Sequence, residues 1–264
     1  MAIRCEKCGR EYDATLFQFG RTVRCDCGNV VTLAGVRRIE ETEAATSSPQ
    51  ALCRRTRLIL VRHGETDWNA ESRLQGHQST PLNERGRQEA ELLARRLPEE
   101  QPHNLYSSDL ARAMQTAEII AAEIGLEIVA TPKLREISLG RWEGKTFEEV
   151  QAESPAAFDA WARGDFRGTP PGGESVAQLR ERVIAFLGEV LEKHPSQTSV
   201  LVTHGGPCKC AIAHTLGIST DGVSRYAADN ASIHIIEIGL YGWRLTALND
   251  TCHLRVLEGA KREE

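Results

Sequence analysis

Two short hydrophobic runs have the pattern of strands buried inside a sheet. One covers residues 58–61 (Leu-Ile-Leu-Val) and the other residues 200–202 (Val-Leu-Val). Continuous apolar runs rich in β-branched residues, without alternating polar positions, predict strands that are covered on both faces. Both runs stop abruptly at polar residues, the first at Arg62-His63-Gly64 and the second at Thr203-His204-Gly205.

Between and around these runs, apolar residues recur with helical spacing. Ala90, Leu93, Ala94 and Leu97 occupy positions i, i+3, i+4 and i+7, which predicts a helix with one buried face over residues 84–97. Similar patterns predict helices over 110–124, 176–191 and 207–216, and shorter apolar runs predict strands near 103–106, 127–130, 232–238 and 243–248. This alternation predicts an α/β fold.

Two helix starts carry residues suited to capping. Ser175 and Gln178 have the spacing of a capping box at the start of one helix. Residues 107–109 (Ser-Ser-Asp) precede another helix and are predicted to cap it. The apolar stripe of that second helix leaves Arg112 off the buried face, so the pattern alone favours a solvated surface arginine.

The residues at the ends of the two buried runs indicate phosphate chemistry. In an open α/β sheet, ligands bind at the carboxyl ends of the strands. Arginine holds phosphate through a rigid fork of donors, and a neutral histidine can attack phosphorus. For the first run alone, ordinary surface polar residues are an equally good interpretation. A second buried run that ends in histidine and glycine favours a functional site.

The motif Leu60–Thr66 followed by Trp68 and Asn69 resembles the opening signature of the histidine phosphatase superfamily, which has a phosphoglycerate-mutase-like fold. Further motifs follow in the family's order: Arg73–Gly76, Pro81–Asn83, Tyr106–Asp109 with Arg112, Leu134–Glu136, Pro170–Ser175 and the His204 run. The resemblance covers residues 57–258 and leaves a short tail, 259–264. It implies a three-layer α/β fold with a mostly parallel central sheet.

The resemblance also implies roles for individual residues. His63 is expected to be the nucleophile that becomes a phosphohistidine, and Glu136 the general acid and base. Arg62, Arg112 and His204 are expected to hold the phosphoryl oxygens. Further substrate contacts are expected from Asn69, Gln75, Gly76 and the Gly205 backbone. No step in this scheme needs a catalytic metal.

The segment after the acid distinguishes two activities within the family. The short stretch with Gly140–Gly144, and the turn at 170–175, resemble the phosphatase branch, which includes broad-specificity and α-ribazole phosphatases. Mutases carry a longer insertion after the acid. The favoured activity is therefore hydrolysis of a small phosphomonoester. A phosphoglycerate-type phosphomutase is the alternative, as is a regulatory or binding protein that uses the fold as a scaffold.

Four of the eight cysteines lie within the first 27 residues, outside the family resemblance. Cys5 and Cys8 form one close pair, Cys25 and Cys27 another, and a glycine follows each pair. Four thiolates from two tight turns are typical of structural zinc, although the second pair has one intervening residue instead of two. The sequence predicts a zinc-ribbon-like module over residues 1–35 and a flexible linker over 36–56. A disordered, cysteine-containing tail is the alternative.

The composition and charge of the chain give limited information about its binding partners and its location. The net charge of −5 argues against a dominant nucleic-acid surface. Residues 1–38 carry seven Lys or Arg against four Asp or Glu, a weak indication of an acidic protein or nucleic-acid partner for the ribbon. No run is long enough to span a bilayer, and the start does not resemble a signal peptide, so a cytoplasmic location is expected. The oligomeric state is open.

Overall fold

The computed structural model describes residues 2–5, 7–8, 11–13, 22–24, 27, 30–32, 55–162, 169–219, 225–239 and 242–259. The chain divides into two compact units, Met1–Ser48 and Pro49–Glu264. None of the described helices combines the length and the apolar composition that a bilayer-spanning segment needs.

The first unit contains two small antiparallel strand pairs. Strand β1 (Ala2–Arg4) pairs with β2 (Glu11–Asp13), and β3 (Thr22–Arg24) pairs with β4 (Val30–Thr32). Residues 33–54, which include most of the predicted linker, and residues 260–264 of the predicted tail lie outside the described residues. The predicted bounds of these segments therefore stay predictions.

The second unit is built on a six-stranded mixed sheet in the order β10-β9-β5-β8-β6-β7. The strands are β5 (Thr56–Arg62), β6 (Asn104–Ser108), β7 (Ile128–Thr131), β8 (Thr198–Thr203), β9 (Ile233–Gly239) and β10 (Gly242–Asp250). Strands β5, β8, β6 and β7 are parallel neighbours, whereas β9 runs antiparallel to both β5 and β10. Only β9 opposes the common direction, so the expectation of a mostly parallel sheet is confirmed.

Helices cover both faces of this sheet. The helices of the second unit are α1 (Asp67–Ala70), α2 (Glu84–Arg96), α3 (Ala111–Ile124), α4 (Phe147–Glu153), α5 (Pro155–Ala162), α6 (Val176–Lys193), α7 (Gly205–Leu216) and α8 (Arg255–Gly259). Short 3-10 turns occur at Leu97–Glu100, Pro132–Leu134, Gly140–Trp142 and Cys252–Leu254.

Alternate residues of β5 enter two separate hydrophobic cores, as the period of a strand requires. Leu58 and Leu60 pack in a core with residues of α6 and α7. Ile59 and Val61 pack on the other face with residues of α2 and α3. All four side chains have no exposed surface. The prediction of a strand buried on both faces, and of three layers, is confirmed.

One of the two capping predictions is correct. Ser175 and Gln178 form the predicted capping box at the start of α6. The prediction that residues 107–109 cap the next helix is wrong, because α3 begins after Leu110, whose side chain makes no capping bond. The Ser108 hydroxyl instead lies 2.8 Å from His204 Nε2 and accepts the Leu110 backbone N–H. Asp109 pairs with Arg135.

Candidate active site

The carboxyl ends of the two central strands bring the predicted histidines together. Strands β5 and β8 pair with Arg62 opposite Thr203, so His63 and His204 follow side by side. The His63 backbone N–H donates to the Thr203 carbonyl at 2.9 Å. The two imidazole rings pack edge to face with their centroids 5.0 Å apart. Pairing in the sheet therefore places two residues 141 positions apart in sequence in direct contact.

His63 is buried and held in one tautomer. Its Nδ1 lies 2.7 Å from the Gly64 carbonyl oxygen, which can only accept, so Nδ1 carries the hydrogen. Nε2 then keeps a lone pair and accepts a hydrogen bond from Arg112 Nε at 3.2 Å. Burial, followed by the charges of Arg112 and Arg62, lowers the pKa of His63 well below its ordinary value. A neutral imidazole can attack through the Nε2 lone pair once a ligand displaces the hydrogen bond from Arg112.

His204 is completely buried, and only one of its ring nitrogens is bonded within the described part of the chain. Nε2 lies 2.8 Å from the Ser108 hydroxyl, whereas Nδ1 has no hydrogen-bond partner among the described groups. Burial is the largest cause of a pKa far below the ordinary value, and Arg112 and His63 are the next two causes. His204 does not line the adjacent cavity, unlike His63.

Two arginines meet at this edge of the sheet. Arg112 is 1% exposed, so the surface position favoured by the helical pattern alone is wrong. Its guanidinium donates to the carbonyls of Gly76 and Gln78 at 2.9 and 2.8 Å. Arg62 donates to the Ala228 carbonyl at 2.6 Å. Burial lowers the pKa of Arg112 to about 10 and lowers that of Arg62 as well. A pKa near 10 leaves Arg112 charged at neutral pH.

The Glu136 carboxylate lies at the start of α7. Both of its oxygens accept from the Gly206 backbone N–H at 3.1 Å, and one also accepts from the Ile137 N–H at 2.8 Å. A β-carbon at Gly206 would overlap a carboxylate oxygen of Glu136. Only glycine at this position allows the carboxylate to reach the helix N-terminus.

The backbone of the Glu136 loop is fixed from two directions. The Glu136 carbonyl accepts from His77 Nε2 at 2.8 Å and from Arg182 Nη2 at 3.3 Å. Arg182 also donates to the carbonyls of Lys133 and Arg135, at 2.9 and 3.0 Å. Glu174 orients Arg182 through an ion pair of 2.8 Å. His77 and helix α6, which carries Arg182, therefore together fix the loop that positions Glu136.

A cavity of about 260 Å³ lies at this edge of the sheet, beside His63 and Glu136. The predicted residues on its wall are Arg62, His63, Asn69, Gln75, Gly76, Arg112, Glu136 and Gly205. Its apolar wall consists of Leu74, Ile137, Leu139, Val176 and Leu179. One side of the cavity therefore offers donors and cations, and the other offers a surface for a short carbon skeleton.

Asn69 and Gln75, two of the predicted substrate contacts, already use their side-chain oxygens in hydrogen bonds within the protein. The Asn69 side-chain oxygen accepts from the Thr66 backbone and hydroxyl, and the Gln75 side-chain oxygen accepts from the Thr80 hydroxyl at 2.5 Å. Their amide nitrogens are the groups that remain available as donors. Gly76 has a φ of +52°, which favours glycine, and its carbonyl orients Arg112.

Two cations on the cavity wall were missed by the sequence analysis. Arg73 donates to Glu71 at 2.7 Å and to the Gly144 carbonyl at 3.0 Å. Lys209 lies on α7, four residues after Gly205, so both fall on the same helix face. The spacing of Lys209 from the second histidine motif was a signal that could have identified it.

In the first unit, three of the four predicted zinc ligands lie together. The Sγ atoms of Cys5, Cys8 and Cys27 lie within 4.8 Å of one another, and those of Cys5 and Cys27 are 3.7 Å apart. Tetrahedral zinc with bonds of about 2.3 Å places its sulfur ligands about 3.8 Å apart. Cys25 lies outside the described residues. The Cys5–Cys27 distance matches that value, and the three thiols lie close enough together to hold one metal ion.

Comparison with known proteins places this geometry in a family. The profile of the histidine phosphatase superfamily (branch 1) matches residues 58–251. Phosphoserine phosphatase 1 of Hydrogenobacter thermophilus is 38% identical over 75% of this chain and 94% of its own length. A probable phosphoglycerate mutase of Yersinia enterocolitica is 34% identical with the same coverage. A mycobacterial glucosyl-3-phosphoglycerate phosphatase, solved with VO3, is 34% identical with a TM-score of 0.69, covering 74% of this chain and 99% of its own.

The buried histidines make the free energy of unfolding depend on pH. Because the folded state lowers the pKa of His63, His204 and His234, the last to about 4, the unfolded chain takes up their protons first as the pH falls. As the pH falls below about 6.5, the free energy of unfolding decreases by up to about 1.4 kcal/mol per pH unit for each histidine. Urea unfolding between pH 7.5 and 5 should show this slope.

The His63→Gln variant should have a shallower slope by about 1 kcal/mol per pH unit in the same range. Ile59→Val removes a buried methylene but no titrating group, so it should keep the wild-type slope. An unchanged slope in His63→Gln would contradict the neutral state assigned to His63.

Proposed function

Because this chain belongs to the histidine phosphatase superfamily (branch 1) and is a phosphoric monoester hydrolase, we propose that it hydrolyses a small phosphomonoester through a phosphohistidine on His63. The observation that carries the proposal is the buried, neutral His63, whose Nε2 lone pair lies on the cavity wall beside Arg62 and Arg112. This is the arrangement that an attack on phosphorus requires.

In the first proposed step, His63 Nε2 forms a bond to phosphorus while the bond to the ester oxygen breaks. Arg62 and Arg112 hold the phosphoryl oxygens, whose negative charge they neutralise. His204 Nδ1, which has no hydrogen-bond partner among the described groups, is assigned a third phosphoryl oxygen, which would satisfy that atom's hydrogen bonding. The Gly205 backbone, at the N-terminus of α7, adds a favourable dipole.

Glu136 is assigned the proton transfers. In the first step it donates its proton to the leaving alkoxide, which departs as an alcohol. In the second step the carboxylate takes a proton from a water molecule, whose oxygen attacks the phosphohistidine. Phosphate leaves, and both His63 and Glu136 return to their starting states. The carboxylate lies beside Gly206, at the same edge of the sheet as His63.

The remaining proposed contacts orient the substrate. The amide nitrogens of Asn69 and Gln75 are assigned to oxygens of the bound phosphomonoester, since both residues line the cavity. Gly76 is assigned a backbone contact there. All of the steps use side chains of this chain, so the scheme includes no catalytic metal.

A phosphomutase is the second candidate, favoured by the 34% identity to a probable phosphoglycerate mutase. A mutase returns the phosphoryl group from histidine to a second hydroxyl and must keep water away from the intermediate. The segment from Glu136 to α4 is short and lacks the long insertion expected of mutases. Hydrolysis is therefore the function that we propose.

Phosphate release from a panel of small phosphomonoesters, measured beside interconversion of 2- and 3-phosphoglycerate, tests this function. We expect release from at least one compound, with interconversion slower by at least about 100-fold, an interval of about 2.7 kcal/mol in activation free energy. Interconversion without release would make the protein a mutase. Inactivity in both assays would favour the scaffold role.

The variants His63→Asn and Glu136→Gln separate the two assigned roles. His63→Asn should abolish release, by more than about 1,000-fold, because no nucleophile remains. Glu136→Gln should lower kcat by about 100- to 10,000-fold, and by less for substrates whose leaving alcohol is acidic. His103→Asn alters a histidine remote from the cavity, so it should keep wild-type activity. Full activity in His63→Asn would rule out the mechanism.

We further propose that the first unit binds one structural zinc ion through Cys5, Cys8, Cys25 and Cys27. The proximity of the three described thiols supports the assignment. Cys25, which lies outside the described residues, is assigned as the fourth ligand from its place in the sequence. Four thiolates leave no open position for chemistry. Because a unit this short buries only a small hydrophobic core, metal binding would supply much of its stability.

Native mass spectrometry of the full chain should find one zinc ion per chain. The Cys8→Ser variant should bind zinc at least about 10-fold more weakly, because one thiolate is lost. Cys252→Ser removes a cysteine of the second unit and should keep the full zinc content. A metal-free protein after expression in zinc-supplemented medium would overturn this proposal.

A further inference from the structure

Lys209 differs from the other cations on the cavity wall. Arg62 donates to the Ala228 carbonyl, Arg112 to the Gly76 carbonyl, and Arg73 to Glu71. The Lys209 ammonium makes no hydrogen bond or ion pair with any group in the part of the chain that the structure describes. Its side chain nevertheless lines the cavity that contains His63 and Glu136. Lys209 is therefore available to an anion that enters this cavity.

The surroundings of Lys209 make such an anion favourable. The side chain is partly buried, and burial together with the charge of Arg62 lowers its pKa, against the opposing effect of Glu136 and Asp229. A desolvated ammonium beside a guanidinium is stabilised when a negative group binds next to it. The helix that carries Lys209 begins at the phosphoryl end of the cavity, with Gly205 on the same face. An anion at Lys209 would lie one helical turn away from that end.

Charge matching indicates what this anion is. A phosphomonoester dianion carries two negative charges, which Arg62 and Arg112 match. Arg73 is already paired with Glu71, so Lys209 adds one further positive charge for the substrate to match, and one carboxylate would balance it. A second phosphate would bring two further charges against this one ammonium. The apolar wall of Leu74, Leu139 and Leu179 suits a short carbon skeleton that joins the two anionic groups.

We propose that Lys209 is a specificity-determining residue that binds a carboxylate of the substrate, so that the preferred substrates are small phosphorylated carboxylic acids. This inference rests on the proposed function, because it takes the phosphoryl group to lie at His63. It assigns Lys209 to substrate binding and leaves the bond-breaking steps to the groups already described.

Matched pairs of compounds test the inference. 3-Phosphoglycerate and glycerol 3-phosphate differ by a carboxylate against a hydroxymethyl group, and O-phosphoserine and O-phosphoethanolamine differ by a carboxylate alone. In each pair the wild type should have the higher kcat/KM for the acid. Lys209→Met should lower kcat/KM for the acid by about 10- to 100-fold, the loss expected when one charge-assisted hydrogen bond is removed. Most of this loss should be a rise in KM. The loss for the partner without a carboxylate should be at least about tenfold smaller.

Two control variants accompany Lys209→Met. Lys209→Arg keeps the charge and should retain most of the preference for the acid. Lys193→Met makes the same substitution at the exposed end of α6 and should leave both compounds of each pair unaffected. Equal losses for both compounds in Lys209→Met, or a wild type that does not distinguish them, would overturn the inference.

Binding measurements keep this test separate from that of the proposed function. The dissociation constants of the same compounds are measured for His63→Asn with and without Lys209→Met, where no turnover is needed. Weaker binding of the acid alone, by about tenfold or more, supports the inference. Equal weakening overturns it. A wild type that releases phosphate from no compound refutes the proposed function, and the ratio of dissociation constants then decides the role of Lys209.

Discussion

The hydrogen bond from His63 Nδ1 to the Gly64 carbonyl determines which imidazole nitrogen keeps a lone pair. Strand β5 ends at Arg62, so His63 and Gly64 follow directly at the end of the strand. Burial first, and then the charges of the two guanidinium groups, disfavour protonation of this imidazole. In the proposed mechanism, the charges that bind the phosphoryl group therefore also help to keep His63 neutral.

The second constraint is the position of the Glu136 carboxylate. Gly206 at the start of α7 provides the N–H that both oxygens accept, and Arg182 on α6 holds the backbone of the loop. A carboxylate in a loop is placed accurately only when the elements around it are rigid. Here two helices packed in one hydrophobic core provide that rigidity. The core between α6, α7 and the sheet therefore supports the proposed acid, as β5 supports the proposed nucleophile.

Much of the second unit was predictable, because its signals are local. The apolar runs that form β5 and β8 are short, uninterrupted and followed by histidine, so sequence alone places His63 and His204 at strand ends. The burial of Arg112 was not predictable from its helix, because the carbonyls that it contacts belong to a distant loop. Lys209 was missed for a similar reason, since a lysine in a helix is usually solvated. The capping error at 107–109 arose because Ser108 bonds to His204 instead of capping the helix.

The phosphohistidine proposed on His63 is a covalent species that can be observed directly. The enzyme is mixed with a substrate for milliseconds, quenched in base, digested and analysed by mass spectrometry for phosphohistidine, which is stable to base and labile to acid. The account requires phosphate on His63, formed and lost at rates compatible with turnover, and absent from His63→Asn. Phosphate on another residue, or active turnover with no phosphoenzyme under conditions where its formation is not rate-limiting, would contradict it.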